Sequence, residues 1–152
     1  MSKKKNNKAP AAPARQTAAS AGTATGADHS AREKNIRDYF TMWLTHDGDR
    51  IAEIFTEDAV YVECTGSEYH GSHQIESWFA DWFRNGVVKR WDINAFSHAG
   101  SKTFVEWHFE CVCYDRPSAF DGVSVVEFDG SGKVCALREF SAEYLHTTPY
   151  AD

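Results

Sequence analysis

The apolar positions along this chain change period once, near its middle. Ile36, Tyr39, Phe40, Trp43 and Leu44 recur at intervals of three and four, the spacing of one helix face. Ser30-Ala31-Arg32-Glu33 has the form of a capping box and predicts where that helix starts. Asp47-Gly48-Asp49 ends it, and Asp49 can cap a short second helix with Ile51, Ile54 and Phe55 on its buried side. Residues 59–64 read as a strand and residues 65–71 as a loop. Ser72 can cap a third helix that carries Ile75, Trp78, Phe79, Trp82 and Phe83 and closes at Asn85-Gly86. After Gly86 the pattern alternates. Residues 87–97, 102–114, 123–128 and 134–144 read as four strands, with turns at Ala99-Gly100, residues 117–121 and residues 129–132. Helices followed by a strand meander predict an α+β domain, its helices packed on one face of an antiparallel sheet.

In the strand over 102–114, Val105, Trp107, Phe109, Cys111 and Cys113 fall on one face and Glu106, His108 and Glu110 on the other. The first set should meet the helices. The second should face solvent or a partner subunit.

Residues 1–29 carry no large apolar residue after Met1. Such a stretch cannot bury enough surface to offset its ordering entropy, so it is expected to be a disordered tail before a domain over residues 30–152. A net charge of −6 argues against a nucleic-acid binder. No apolar run approaches the ~20 residues of a membrane helix, and no secretory core follows the N-terminal lysines. Cys64, Cys111, Cys113 and Cys135 lie in strand-like runs without metal spacing, which suits a reduced cytoplasmic protein.

Several strings, in their order, carry a family resemblance: Ile36-Arg37-Asp38-Tyr39, the run from Ile54 to Ala59, Gly66-Ser67-Glu68, the helix opening at Gly71, and the run from Phe128 to Val134. Over residues 31–145 the chain resembles the SnoaL-like proteins and ketosteroid isomerases of the nuclear transport factor two-like superfamily. That resemblance implies a cone-shaped α+β barrel: N-terminal helices packed into a strongly curved antiparallel sheet, with an internal pocket. It places Tyr39, Trp43, Tyr61, Glu63, Trp78, Trp82, Trp107, Ser124 and Val126 on the pocket wall. It also implies a homodimer through the outer sheet face. Ketosteroid isomerases use a tyrosine, an acidic base and a protonated acid. Tyr39 and Glu63 fall at the first two of these positions, while Ser124 stands at the third and is a weaker donor.

Glu63 follows Ala59 and Tyr61 at intervals of two, so the three share a strand face. A carboxylate in an apolar pocket loses hydration, which suits a general base acting beside a carbonyl. The plainer alternative is a solvent-exposed strand-end glutamate, or one paired with Arg90 or Arg138. Tyr39 can donate to a substrate oxygen or simply fill the core. Tyr69 and His70 stand beside the pocket mouth, and Arg138 can hold an anionic ligand group. His70 and His73 are too weak a pattern for a metal site, so no metal or other cofactor is expected. Two functions remain open. One is an isomerase, cyclase or dehydratase acting on a small apolar, carbonyl-bearing or polycyclic molecule. The other is a non-catalytic binding or interaction module on the same fold.

Overall fold

The structure, a computed structural model, describes residues 26–150. The expected tail therefore lies outside the described residues as far as residue 25, and its last part opens a helix. Helix α1 spans Gly26–Thr45. It begins before Ser30, whose hydroxyl donates back to the Gly26 carbonyl at 3.2 Å within the helix and caps nothing. Ile36, Tyr39, Phe40, Met42 and Trp43 are buried, while Leu44 is 41% exposed. The last turn rests on its Met42–Trp43 side, so Met42 takes the inward place expected of Leu44.

One helical turn, α2 (Ile51–Ile54), leads straight into β1 (Phe55–Val62). Arg50, not Asp49, holds its N-cap position, and the Asp49 amide donates to the Asp47 carboxylate. Strand β2 (Glu68–His70) lies inside the stretch expected to be a loop. At three residues between two glycines it is too short for alternation to register. Gly71, with φ +82°, holds the N-cap position of α3 (Ser72–Trp82), so Ser72 is already helical.

The remaining strands are β3 (Gly86–Ala99), β4 (Lys102–Cys113), β5 (Arg116–Phe128) and β6 (Val134–Glu143). Residues 117–121, expected to turn, extend β5 instead. The turn is Tyr114-Asp115, both with positive φ, joining Cys113 to Arg116 in register. Pro117 escapes the usual penalty because β6 pairs with β5 only from Phe120 onward, leaving Pro117 on a free edge.

The six strands form one open sheet in the order β2-β1-β6-β5-β4-β3. It is mixed, not wholly antiparallel: β1 runs parallel to β6, with Tyr61 opposite Leu137 and Val62 opposite Arg138. Register shifts in β3, and between β5 and β6, bend the sheet towards the helices. Helix α1 packs on β3 and β4, and α3 on β1 and β2. The expected faces of β4 hold, with Val105, Trp107, Phe109 and Cys111 buried beneath the helices. On the outer face His108 is more covered than a surface residue, lying between Asp121 at 2.7 Å and Glu110 at 3.1 Å with the Tyr144 ring beside it. No helix among the described residues is long and apolar enough to cross a membrane.

Gly122 stands opposite Trp107 in the β4–β5 ladder. A β-carbon there would lie 2.2 Å from the Trp107 ring and 2.7 Å from the Phe140 carbonyl oxygen. Backbone on one side and a buried indole on the other leave nothing that yields easily. Gly122→Ala should therefore cost about 1–3 kcal/mol, the usual range for overpacking. Urea denaturation checks this, and an unchanged midpoint would show that Trp107 moves freely.

Candidate functional site

Between the two long helices and the inner sheet face lies a cavity of about 190 Å³. All five tryptophans of the chain line it: Trp43 from α1, Trp78 and Trp82 from α3, Trp91 from β3 and Trp107 from β4. They brace one another. Trp43 meets Trp82 edge-on at 5.3 Å between ring centres, and Trp91 meets Trp107 edge-on at 5.7 Å. The Trp82 ring also lies over Gly86, where a β-carbon would come within 2.6 Å of it. Tyr61, Phe109 and Phe120 complete the aromatic wall.

Two carboxylates interrupt it, Glu63 and Glu139. Glu139 faces inward from β6 beside Ser124 of β5 and accepts a short hydrogen bond from the Tyr61 hydroxyl. Glu139 is half-buried and borders the cavity. That burial raises its pKa from 4.5 to about 7; the Tyr61 hydroxyl works against the rise, the nearby Glu63 adds to it, and the Cys64 amide opposes it. Burial, and then the neighbouring Glu139, push the Tyr61 hydroxyl well above its ordinary range.

Glu63 occupies the rim, just past the end of β1. One of its oxygens accepts from Thr65 at 2.6 Å and the other from Tyr69 at 3.1 Å. Neither Arg90 nor Arg138 pairs with it. Arg90 binds Asp92 and Glu110, and Arg138 is exposed on the opposite sheet face, over the Phe140 ring.

The expected site residues thus divide. Trp43, Tyr61, Glu63, Trp78, Trp82 and Trp107 meet at the cavity. Tyr39 lies behind it, edge-on to Tyr61, with burial raising its hydroxyl pKa. Tyr69 stacks on Trp78 from outside, 4.6 Å between ring centres; burial and then Glu63 raise its pKa to about 12. His70 is exposed and paired with Glu68 at 2.7 Å. Ser124 accepts the Trp107 indole N–H at 2.9 Å and, with Val126, is fully buried off the cavity wall. The indole N–H groups of Trp43 and Trp91 are buried without a partner. Among the described residues no group of three or more His, Cys, Asp or Glu side chains is arranged to hold a metal ion.

Glu139 and Trp91 did not emerge from the sequence. The signal for Glu139 was its interval of two from Leu137, which puts it on the inner face, opposite Arg138 and Phe140.

The SnoaL-like domain family matches residues 36–137 of this chain. The chain belongs to that family. No curated protein matches this SnoaL-like domain protein. Solved structures share its fold at low identity. A protein with a ketosteroid isomerase-like fold from Catenulispora acidiphila, in complex with trimethylamine, is 17% identical with a TM-score of 0.64, over 72% of this chain and 85% of that one. A candidate isomerase from Bacillus subtilis is 14% identical with a TM-score of 0.68, over 76% and 88%. An LEH-like epoxide hydrolase from M. tuberculosis is 14% identical with a TM-score of 0.66, over 74% and 84%. The SnoaL-like cone is thus the fold of this chain.

The raised pKa of Glu139 has a consequence for stability. Between about pH 4.5 and 7 the folded chain keeps a proton that the unfolded chain has lost. Stability from this group is therefore highest below about pH 4.5, falls as pH rises towards 7, and stays lower above it. Glu139→Gln removes that penalty. It should raise stability at pH 8 more than at pH 5, by on the order of 2 kcal/mol at about 1.4 kcal/mol per pKa unit. Calorimetry at the two pH values checks this, and equal shifts at both would contradict it.

Proposed function

We propose that this SnoaL-like protein is a proton-transfer enzyme of the isomerase or cyclase type, with Glu139 as its general base and acid. One observation carries the reading: an enclosed carboxyl with a pKa near 7 that opens onto an aromatic cavity and is oriented by Tyr61. A group poised near the working pH can both take and return a proton. In its ionised form it removes a proton from a carbon next to a substrate carbonyl. The C–H electron pair then moves into an enolate. Returning the proton at another carbon isomerises the substrate; attack of the enolate carbon on a second carbonyl closes a ring.

The role first expected of Glu63 passes to Glu139 in this reading. Glu63, with both oxygens already hydrogen-bonded, acts on its neighbour through charge. Tyr39 supports Tyr61 from behind. An apolar cavity of ~150 Å³ accepts benzene, so this one suits a single ring or a branched chain better than four fused rings. The four unpaired cysteines fit a reducing, cytoplasmic setting. A non-catalytic binding module is favoured by one feature, the loss of Ser124 to the Trp107 indole.

The test is hydrogen–deuterium exchange next to the carbonyl, followed by NMR across a set of small cyclic ketones. Glu139→Gln should lower exchange ~10²–10⁴-fold, the usual contribution of a general base. Glu63→Gln should lower it less. If no ketone exchanges faster with the protein than in buffer, the binding-module reading replaces this one.

We also infer a homodimer through the outer sheet face, where half-exposed Phe140 pairs with Val123 and Tyr144 is exposed nearby. Light scattering should give twice the 17.1 kDa chain mass. A monomer at micromolar concentration would rule it out.

A further inference from the structure

Among the described residues no leucine, isoleucine or valine lines the cavity wall. Leucine, isoleucine and valine are abundant in the core, at Ile51, Ile75, Val105, Val126 and Leu137, yet none reaches the cavity. Aromatic rings instead collect there, including every tryptophan in the chain. A wall selected only for apolarity would mix the two kinds, because burial per unit area rewards both alike. What distinguishes indoles is the negative face of the ring, which attracts a cation. The charged groups on the wall agree with this. Glu63 and Glu139 are both acidic, and among the described residues no Lys, Arg or His side chain lines the cavity. An anionic ligand would meet two carboxylates and no counter-charge.

We propose that the cavity's ligand carries a small organic cation, a tertiary or quaternary ammonium group, held by the tryptophan faces and balanced by Glu139. The proposal rests on the site described above and names its substrate class. The size agrees. A trimethylammonium head fits within a 190 Å³ cavity walled largely by aromatic rings and leaves room beside it for the rest of a small ligand. The cation also relieves the strain of burying a carboxyl at the same place, since an opposite charge nearby favours its ionised form. The groups around Glu139 are Tyr61, Glu63 and the Cys64 amide and thiol from the β1 side, Tyr39 from α1, Tyr69 from β2 and Ser124 from β5, and none of them supplies a positive charge. Bound cation and ionised Glu139 therefore stabilise one another, and affinity for the cation should increase from pH 6 to pH 8.

The experiment uses the full chain and two probes of nearly equal shape: choline, and 3,3-dimethylbutan-1-ol, in which carbon replaces the charged nitrogen. Isothermal titration calorimetry at constant ionic strength should show choline binding at least ~10-fold more tightly than the alcohol. That ratio corresponds to about 1.4 kcal/mol, within the range of a few cation–ring contacts. Choline affinity should rise with pH, while that of the alcohol should not. Trp78→Leu keeps the site apolar and removes a ring at a half-buried position; it should weaken choline more than the alcohol. Trp82→Leu serves the same purpose if the first variant does not fold. Equal affinity for the two probes, a preference for the alcohol, or no choline binding would overturn the proposal. Its failure is distinct from that of the catalytic reading. Ketone exchange that depends on Glu139, in a protein that ignores choline, leaves the chemistry standing and removes the cation. Choline binding without ketone exchange does the reverse.

Discussion

The contact on which the rest of this site depends is the hydrogen bond from Tyr61 to Glu139. It spans β1 and β6, the parallel neighbours in the sheet, and so ties the strand that follows the first helices to the last strand of the chain. A carboxyl enclosed this way needs a donor, because a buried charge without one costs several kcal/mol. Tyr61 supplies it, yet its own ring is fully buried among Tyr39, Phe55 and Trp78, so it cannot shift to accommodate a different neighbour. The acid is thus positioned by the core itself and not by a flexible loop. This is the kind of rigid support that proton transfer needs.

Around that contact the fold separates two tasks. Aliphatic residues on α2, α3 and the sheet hold the layers together, and aromatic residues enclose the cavity. Trp107 belongs to both. Its ring lines the cavity, its N–H is spent on Ser124, and its edge rests where Gly122 leaves room. Ser124 therefore acts as a structural anchor for the wall, and Glu139 stands opposite it on β6.

Much of this was legible in the chain. The change from helical to alternating period located α1, α3 and the long strands, since each buries one face over several repeats. Short or unusual segments were not legible. Strand β2 has three residues, and the Tyr114-Asp115 turn lacks the glycine or asparagine that normally marks positive φ. The parallel pairing of β1 with β6 depends on contacts far apart in sequence, which local patterning cannot report. At the site, six expected residues, Glu63 among them, meet at the cavity, while a second carboxylate, Glu139 on the neighbouring strand, was not singled out. Resemblance drew attention to Glu63 at the strand end, and Arg138 drew it away from its neighbour. Alternation from Leu137 pointed inward to Glu139, yet a glutamate in an edge-to-core strand reads as solvent-facing until its partner Tyr61 is known to be buried.

The gathering of all five tryptophans has an optical consequence. Indole emission depends on the polarity around the ring, and here every emitter in the chain borders the same small space. With ring centres some 5 to 6 Å apart in several pairs, excitation passes readily among them. The tryptophan fluorescence of this protein is therefore a report on its cavity, with no tryptophan elsewhere in the sequence to dilute it. Filling, emptying or wetting that space will change the colour and brightness of the whole molecule.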